Sequence, residues 1–109
     1  MKYQGIQHPL ADCWMRPLAA ETMMFKAAVL HDVGKPCGLE ANSTKYLAGD
    51  AFFESATRAV RTHGGFGCAK AFHVERYFRE AIIGLIAPVS QQLMLCHIAE
   101  KALGLPKSY

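Results

Sequence analysis

Apolar residues recur at three- and four-residue steps along most of the chain, the spacing that places them on one side of a helix. The first such segment extends to Gly34, which Pro36 follows, and the second runs from about Leu39 to His63. Their apolar positions are Ile6, Leu10, Cys13, Trp14, Leu18, Met24, Ala27 and Leu30 in the first, and Leu39, Tyr46, Phe53, Ala56 and Val60 in the second. Both series predict a helix with one buried side, and Pro17 predicts a bend in the first helix.

Two shorter helical segments follow a glycine-rich loop over residues 64–71. Pro88 ends the third helix, Ser90 is placed to cap the fourth, and Gly104 with Pro106 ends it. Their apolar positions are Val74, Tyr77, Phe78, Ala81, Ile82 and Leu85, then Leu93, Cys96, Ala99 and Leu103. The chain has no alternating strand pattern and no internal repeat. It therefore predicts one all-α domain over residues 1–109, an up-and-down bundle of about four helices.

The composition and charge of the chain exclude some kinds of binding partner. The chain has 109 residues, of which 51% are hydrophobic and 19% charged, and this suits one modest globular core. A net charge of +3 without a basic run argues against nucleic acid as the main partner. Uninterrupted apolar stretches are too short to span a membrane, and the N-terminus lacks the apolar core of a signal peptide. Four widely spaced cysteines then indicate free thiols and a cytoplasmic protein.

One short motif suggests a metal site. His31 and Asp32 in LHDVGKP resemble the centre of HD-domain metal phosphohydrolases, in which imidazole and carboxylate hold a divalent metal that activates water. Such a metal needs more ligands. His8 lies about 35 Å away along the same predicted helix, whereas Asp50 of the second helix could approach. The alternative interpretation is a helix end at which Gly34 supplies a left-handed cap.

A longer resemblance covers residues 3–109. The segment THGGFGCAKAFHVERYFREA, together with YQGIQHPLAD and the stretch between them, is similar to the C-terminal helical domain of acyl-CoA dehydrogenases. Full-length members oxidise the α,β bond of an acyl-CoA thioester and pass a hydride to FAD. The resemblance implies that the first helix of the bundle is missing, and that the chain alone is inactive. It also implies a homo-oligomer, or a complementary dehydrogenase subunit as partner, and leaves open a non-catalytic assembly subunit.

The resemblance also implies site residues. Gly64 and Gly65 match glycines that approach the FAD pyrophosphate held by a neighbouring subunit, although Gly-Gly would equally make a simple turn. Pro88 occupies the place of the family's catalytic glutamate, so no catalytic residue is expected here, and the base lies upstream or is absent. Arg61 replaces a family glutamine, and it could bind phosphate or be a solvated helix residue. The full set of residues expected to contact the cofactor is Gln4, Arg61, Gly64, Gly65, Ser90 and Gln92.

Overall fold

The computed structural model describes residues 2–108, and this part of the chain contains no strand. Its elements are the four helices α1 (Gln4–Asp32), α2 (Gly38–His63), α3 (Val74–Ile86) and α4 (Gln91–Leu103). The all-α class is confirmed. The segment expected to be a loop instead forms two short 3-10 helices, Gly64–Cys68 and Lys70–Phe72.

Local signals explain where the helices end. Gly34 has a φ of 69°, and its N–H donates to the His31 carbonyl at 2.9 Å, which closes α1 with the left-handed cap expected there. Ser90 caps α4, since its Oγ accepts from the Leu93 N–H at 3.4 Å. Helix α1 runs on through Pro17, so the bend expected at that residue does not divide it.

Ion pairs fix α1 and α2 as antiparallel neighbours. They join residues early in one helix to residues late in the other. The pairs are Lys26–Glu40 at 3.0 Å, Arg16–Asp50 at 3.7 Å and Arg58–Asp12 at 2.8 Å. The two helices therefore lie side by side along most of their length.

Helix α2 is the centre of the bundle, because α3 and α4 also pack on it. At the α2–α3 crossing, a Cβ added to Gly49 would lie only 2.8 Å from the Gly84 carbonyl oxygen. Phe53 and Phe78 pack 5.7 Å apart, centroid to centroid, which makes α3 antiparallel to α2. On α4, the His97 ring packs against the first turns of α2. Its Nδ1 lies 3.3 Å from Asn42 Nδ2, and a Cβ added to Gly38 would lie 3.7 Å from the ring.

The core of this bundle is thin. The buried apolar residues in the described part of the chain are Ala20, Ala51, Ala56, Val74, Ala81 and Met94, so four of the six are alanines. The radius of gyration is 16.7 Å, whereas a compact domain of this length has about 13 Å. The accessible surface is 7810 Å², against roughly 6,000 Å² for a compact monomer of this mass. The four helices leave much apolar surface uncovered.

Several residues assigned to the buried side are in fact exposed. Of the apolar positions in α1, Trp14 is 78% exposed, and Leu10, Leu18 and Met24 are also exposed, whereas Ala20 is the residue that α1 buries. The same correction applies further along the chain to Tyr77, Ile82, Leu93 and Leu103. In α2, by contrast, Ala56 is buried and the other expected positions are half-buried. Exposure is concentrated where a helix has a neighbour on one side only.

The segment Val74–Leu103 contains an 18-residue window with a mean hydropathy of 1.6, so by length and composition it is apolar enough to cross a membrane. It consists of α3 and α4, each of 13 residues. A 13-residue helix is about 20 Å long, short of the roughly 30 Å of hydrocarbon in a bilayer. A break at residues 87–90 separates the two helices. The segment is weak support for a membrane span.

Candidate functional site

The double glycine lies at the C-terminal end of α2. Gly64 has a φ of 58°, and its N–H donates to the Arg61 carbonyl, so it ends the helix. A side chain is disfavoured at that φ, which explains glycine at this position from the turn alone. Gly64 is therefore accounted for without any ligand.

Gly65 needs a different explanation. Its φ is not positive, and a Cβ added to it would meet nothing within 4 Å. Neither the backbone conformation nor packing within this chain requires glycine at position 65. Gly67, two residues on, shows the contrast, because an added Cβ there would overlap the backbone of Val60. Gly65 thus leaves an open surface that another molecule can approach closely.

Arg61 lies one turn before this surface, next to the start of α1. It lines a cavity of about 620 Å³ together with Gly5 and His8 of α1. Gln4, which is exposed, begins the same helix. The structure thus brings together four of the expected contact residues, Gln4, Arg61, Gly64 and Gly65, at one end of the α1–α2 pair. Arg61 is exposed and forms no ion pair with another described residue.

A second arginine organises this cavity. Arg58 contacts Asp12 at 2.8 Å and Glu54 at 2.7 Å, and it donates to the Pro9 carbonyl at 3.3 Å. The hydrogen bond to Glu54 raises the pKa of Arg58 above its ordinary value. Because its charge is balanced by Asp12 and Glu54, Arg58 holds α1 against α2 and leaves Arg61 as a cation available to a ligand. The i,i+4 spacing of Glu54 and Arg58 was visible in the sequence, but the contact with Asp12 was not.

The remaining expected residues lie elsewhere. Ser90 and Gln92 stand at the start of α4, which packs beside the first turns of α2 through His97. The contact between His97 and Gly38 lies 26 residues before Gly64 in the chain, which is roughly 40 Å along a helix axis. Pro88, at the family's glutamate position, is exposed in the segment before α4. The candidates therefore form two groups toward opposite ends of α2.

The amide of Gln91, between these two α4 residues, is a feature that sequence reasoning missed. Its Nε2 is buried and has no hydrogen-bond partner among the described residues. Nothing in the spacing of the sequence distinguishes Gln91 from its neighbour Gln92, which is exposed.

The metal interpretation of His31 and Asp32 finds no support. Their side chains are each 81% exposed, and the nearest approach between them is 3.8 Å. Among residues 2–108 no three His, Cys, Asp or Glu side chains converge. Asp50, the further ligand considered, instead contacts Arg16 at 3.7 Å, about 22 Å from His31 along α1. The pair is simply the last turn of a helix.

Comparison with known proteins identifies the family. The model of the acyl-CoA dehydrogenase C-terminal domain matches residues 1–103. The chain belongs to the acyl-CoA dehydrogenase family. It is 38% identical over 109 residues to an acyl-CoA dehydrogenase of Mycobacterium tuberculosis, covering 98% of this chain and 28% of that protein. An acyl-CoA dehydrogenase of Bacillus subtilis is also 38% identical, over 93% of this chain and 27% of its own length.

A solved structure agrees with this assignment. The matching chain comes from a structure described as the electron transferring flavoprotein of Acidaminococcus fermentans. It is 34% identical with a TM-score of 0.86, over 94% of this chain and 27% of that one. The chain thus spans about a quarter of the acyl-CoA dehydrogenases that it matches and corresponds to their C-terminal domain. The family and the flavoprotein neighbour imply a flavin cofactor in the family.

Proposed function

We propose that this chain is the FAD-contacting and oligomerisation part of an acyl-CoA dehydrogenase. The observation that carries the proposal is Gly65, since neither its φ nor any contact with the described residues requires glycine there. A glycine that faces open space lets backbone N–H groups approach phosphate oxygens closely. Arg61, which is exposed and has no ion pair with residues 2–108, adds a positive charge one turn away. Together they suit the pyrophosphate of FAD.

The separation between the two groups of residues favours an assembly. Gly64 and Gly65 follow the last turn of α2, whereas Ser90 and Gln92 lie at the start of α4, the helix whose His97 packs on the first turns of α2. We infer that the double glycine contacts a flavin bound mainly by a neighbouring chain, and that Ser90 and Gln92 contact a different part of a flavin. Homo-oligomers, or pairs with a complementary dehydrogenase subunit, would provide this arrangement. We propose no FAD binding by this chain alone.

Gly65 and Arg61 would hold the pyrophosphate of FAD, which would supply hydride-acceptor chemistry in the assembled enzyme. This chain's own contribution is to bind and orient the cofactor. Proline has no group that accepts a proton, so Pro88 cannot serve as the base in place of the family's glutamate. The proposal therefore assigns no catalytic residue to residues 1–109. Oxidation of the acyl-CoA α,β bond is proposed for the assembled enzyme only.

A chimaera tests the flavin contact. Residues 1–109 replace the matched C-terminal portion of the Bacillus subtilis acyl-CoA dehydrogenase, and bound flavin per chain is measured by absorbance. We expect the chimaera to retain flavin and its Gly65→Ala variant to lose it. Gly84→Ala is the matched control, since it changes a glycine inside the bundle where an added Cβ meets only an ordinary contact at 3.7 Å.

The thermal stability of the isolated chain shows whether Gly65 contacts flavin or is instead needed for folding. Because a methyl group at position 65 meets nothing, Gly65→Ala should leave thermal stability unchanged or raise it by up to about 1 kcal/mol. Flavin retention equal to that of the unchanged chimaera would overturn the proposed contact. Loss of flavin together with a lower melting temperature of the isolated variant would show that Gly65 acts through folding instead.

A further inference from the structure

The carbonyl of Gly84 lies near the end of α3 and has no backbone donor within its own helix. The carbonyl of a helical residue normally accepts from the N–H four positions later, and for Gly84 that position is Pro88. Proline has no N–H. Among the described residues, the last bond of this kind in α3 joins the Ala87 N–H to the Ile83 carbonyl at 2.9 Å. The Gly84 carbonyl therefore needs a donor from outside α3.

Helix α2 supplies that donor. The Nζ of Lys45, a half-buried residue, donates a hydrogen bond to the Gly84 carbonyl oxygen. A positive charge is favourable at this place, because the carbonyls that lack partners at the end of a helix carry a partial negative charge. Lys45 thus replaces the donor that Pro88 lacks.

Gly49 makes room for the same carbonyl. It lies one turn after Lys45 on α2, so both residues are on the face that meets α3. A Cβ added to Gly49 would lie 2.8 Å from the Gly84 carbonyl oxygen, which is the atom that accepts from Lys45. A hydrogen bond has a preferred direction, whereas apolar packing has none. This contact therefore fixes the position of the end of α3 against α2 more narrowly than apolar packing alone.

The end of α3 determines where α4 begins, because only the four residues 87–90 separate the two helices. Ser90 is the last of these residues and caps α4, and Gln92 lies in the first turn of α4. We propose that Lys45 is a positioning residue for flavin, which holds the end of α3 and thereby places Ser90 and Gln92. The proposal rests on the proposed function, in which Ser90 and Gln92 contact flavin. Lys45 acts through these residues and does not touch the cofactor.

Amide hydrogen exchange in the 109-residue chain tests the placement of α4. The N–H groups of Leu93 and Met94 donate to Ser90, at 3.4 Å to its Oγ and 3.2 Å to its carbonyl. Their exchange therefore reports on the first turn of α4. Lys45→Met removes the donor and its charge but keeps an unbranched side chain. We expect it to speed the exchange of these two amides by roughly tenfold or more, as for the loss of a hydrogen bond to a charged group. Lys45→Arg keeps a charged donor and should leave the exchange unchanged.

Lys26→Met is the matched control. Lys26 also joins two helices, but its ion pair with Glu40 at 3.0 Å connects α1 to α2. This variant should leave the exchange of Leu93 and Met94 unchanged relative to the amides of α2. Circular dichroism should show the same helix content in all variants.

The chimaera with the Bacillus subtilis enzyme tests the consequence for flavin. The dissociation constant of FAD is measured by titrating FAD into the flavin-free chimaera. Lys45→Met should weaken FAD binding by roughly tenfold, the factor expected for the exchange of α4. Lys45→Arg and Lys26→Met should bind FAD as the unchanged chimaera does.

Several results would overturn the positioning role. FAD binding by Lys45→Met equal to that of the unchanged chimaera would exclude it and leave the proposed flavin contact intact. Equal losses in Lys45→Met and Lys26→Met would show that Lys45 acts through the stability of the whole bundle. Weaker FAD binding by Lys45→Met without faster exchange at the start of α4 would indicate direct contact with flavin instead. An unchanged chimaera that binds no FAD would overturn the proposed function, and the role of Lys45 with it.

Discussion

Two glycines that face each other across the α2–α3 crossing should respond oppositely to the same substitution. An alanine methyl at position 49 would lie 2.8 Å from the Gly84 carbonyl oxygen, closer than Cβ atoms approach oxygen in folded proteins. The nearest atom to a methyl at position 84 is the Gly49 Cα at 3.7 Å, an ordinary contact. Gly49→Ala must therefore push α2 and α3 apart, whereas Gly84→Ala need not.

The magnitude follows from two opposing effects. Replacing glycine by alanine inside a helix stabilises it by about 1 kcal/mol, and this gain is common to both variants. Overpacking at a tight contact costs about 1–3 kcal/mol, and only Gly49→Ala has that cost. The gain cancels in the comparison, so Gly84→Ala should be the more stable variant by about 1–3 kcal/mol. For a chain of this size, that difference is roughly 5–15 °C in melting temperature.

Urea and thermal unfolding followed by circular dichroism would measure the difference. Both variants must have the same oligomeric state at the concentration used, because association raises the apparent free energy of unfolding. Equal stability of the two variants would refute the close contact of α2 and α3 at this crossing. If Gly84→Ala were less stable than Gly49→Ala, the tighter contact would lie at position 84 instead of position 49.

Two further predictions concern the helix ends. Ser90→Ala removes the cap of α4 and should lower the free energy of unfolding by about 1 kcal/mol, whereas Ser90→Asp keeps an acceptor and should lower it little. Equal losses of stability in urea titrations of the two variants would contradict the capping role of Ser90. The hydrogen bond from Lys26 lowers the pKa of Glu40 below its ordinary value of 4.5. The stabilisation from Glu40 should therefore be complete above that value and decline as the pH falls below it. Glu40→Gln should weaken the acid dependence of the melting temperature, and an unchanged acid dependence would exclude this role.

The helices and their ends could be predicted because they depend on neighbouring residues. Gly34 and Ser90 stop and start helices through contacts three residues apart in the chain. The i,i+4 pairs on α3 depend on neighbouring residues in the same way, and Arg79 contacts Glu75 at 2.8 Å. In contrast, the contact of Arg58 with Asp12 joins residues 46 positions apart, and periodicity in one helix contains no information about it.

The candidate site was only partly readable from the sequence. A double glycine predicts a turn, and Gly64 makes that turn. That Gly65 faces open space could not be predicted, because it depends on the positions of all the atoms that surround it in the fold. The location of Ser90 far from the glycines likewise depends on how α4 packs on α2. The candidate residues were thus identified by sequence similarity, whereas their division into two groups could be seen only in the fold.

The errors about burial have one physical origin. A hydrophobic pattern tells which side of a helix avoids water, but not which neighbour covers it. In α1 the apolar positions around Trp14 were expected to form the buried side, yet the bundle buries Ala20 instead. The apolar pattern of α1 is wide enough for two contacts, and the described residues provide one. The exposure of Trp14 is thus consistent with the apolar pattern of α1.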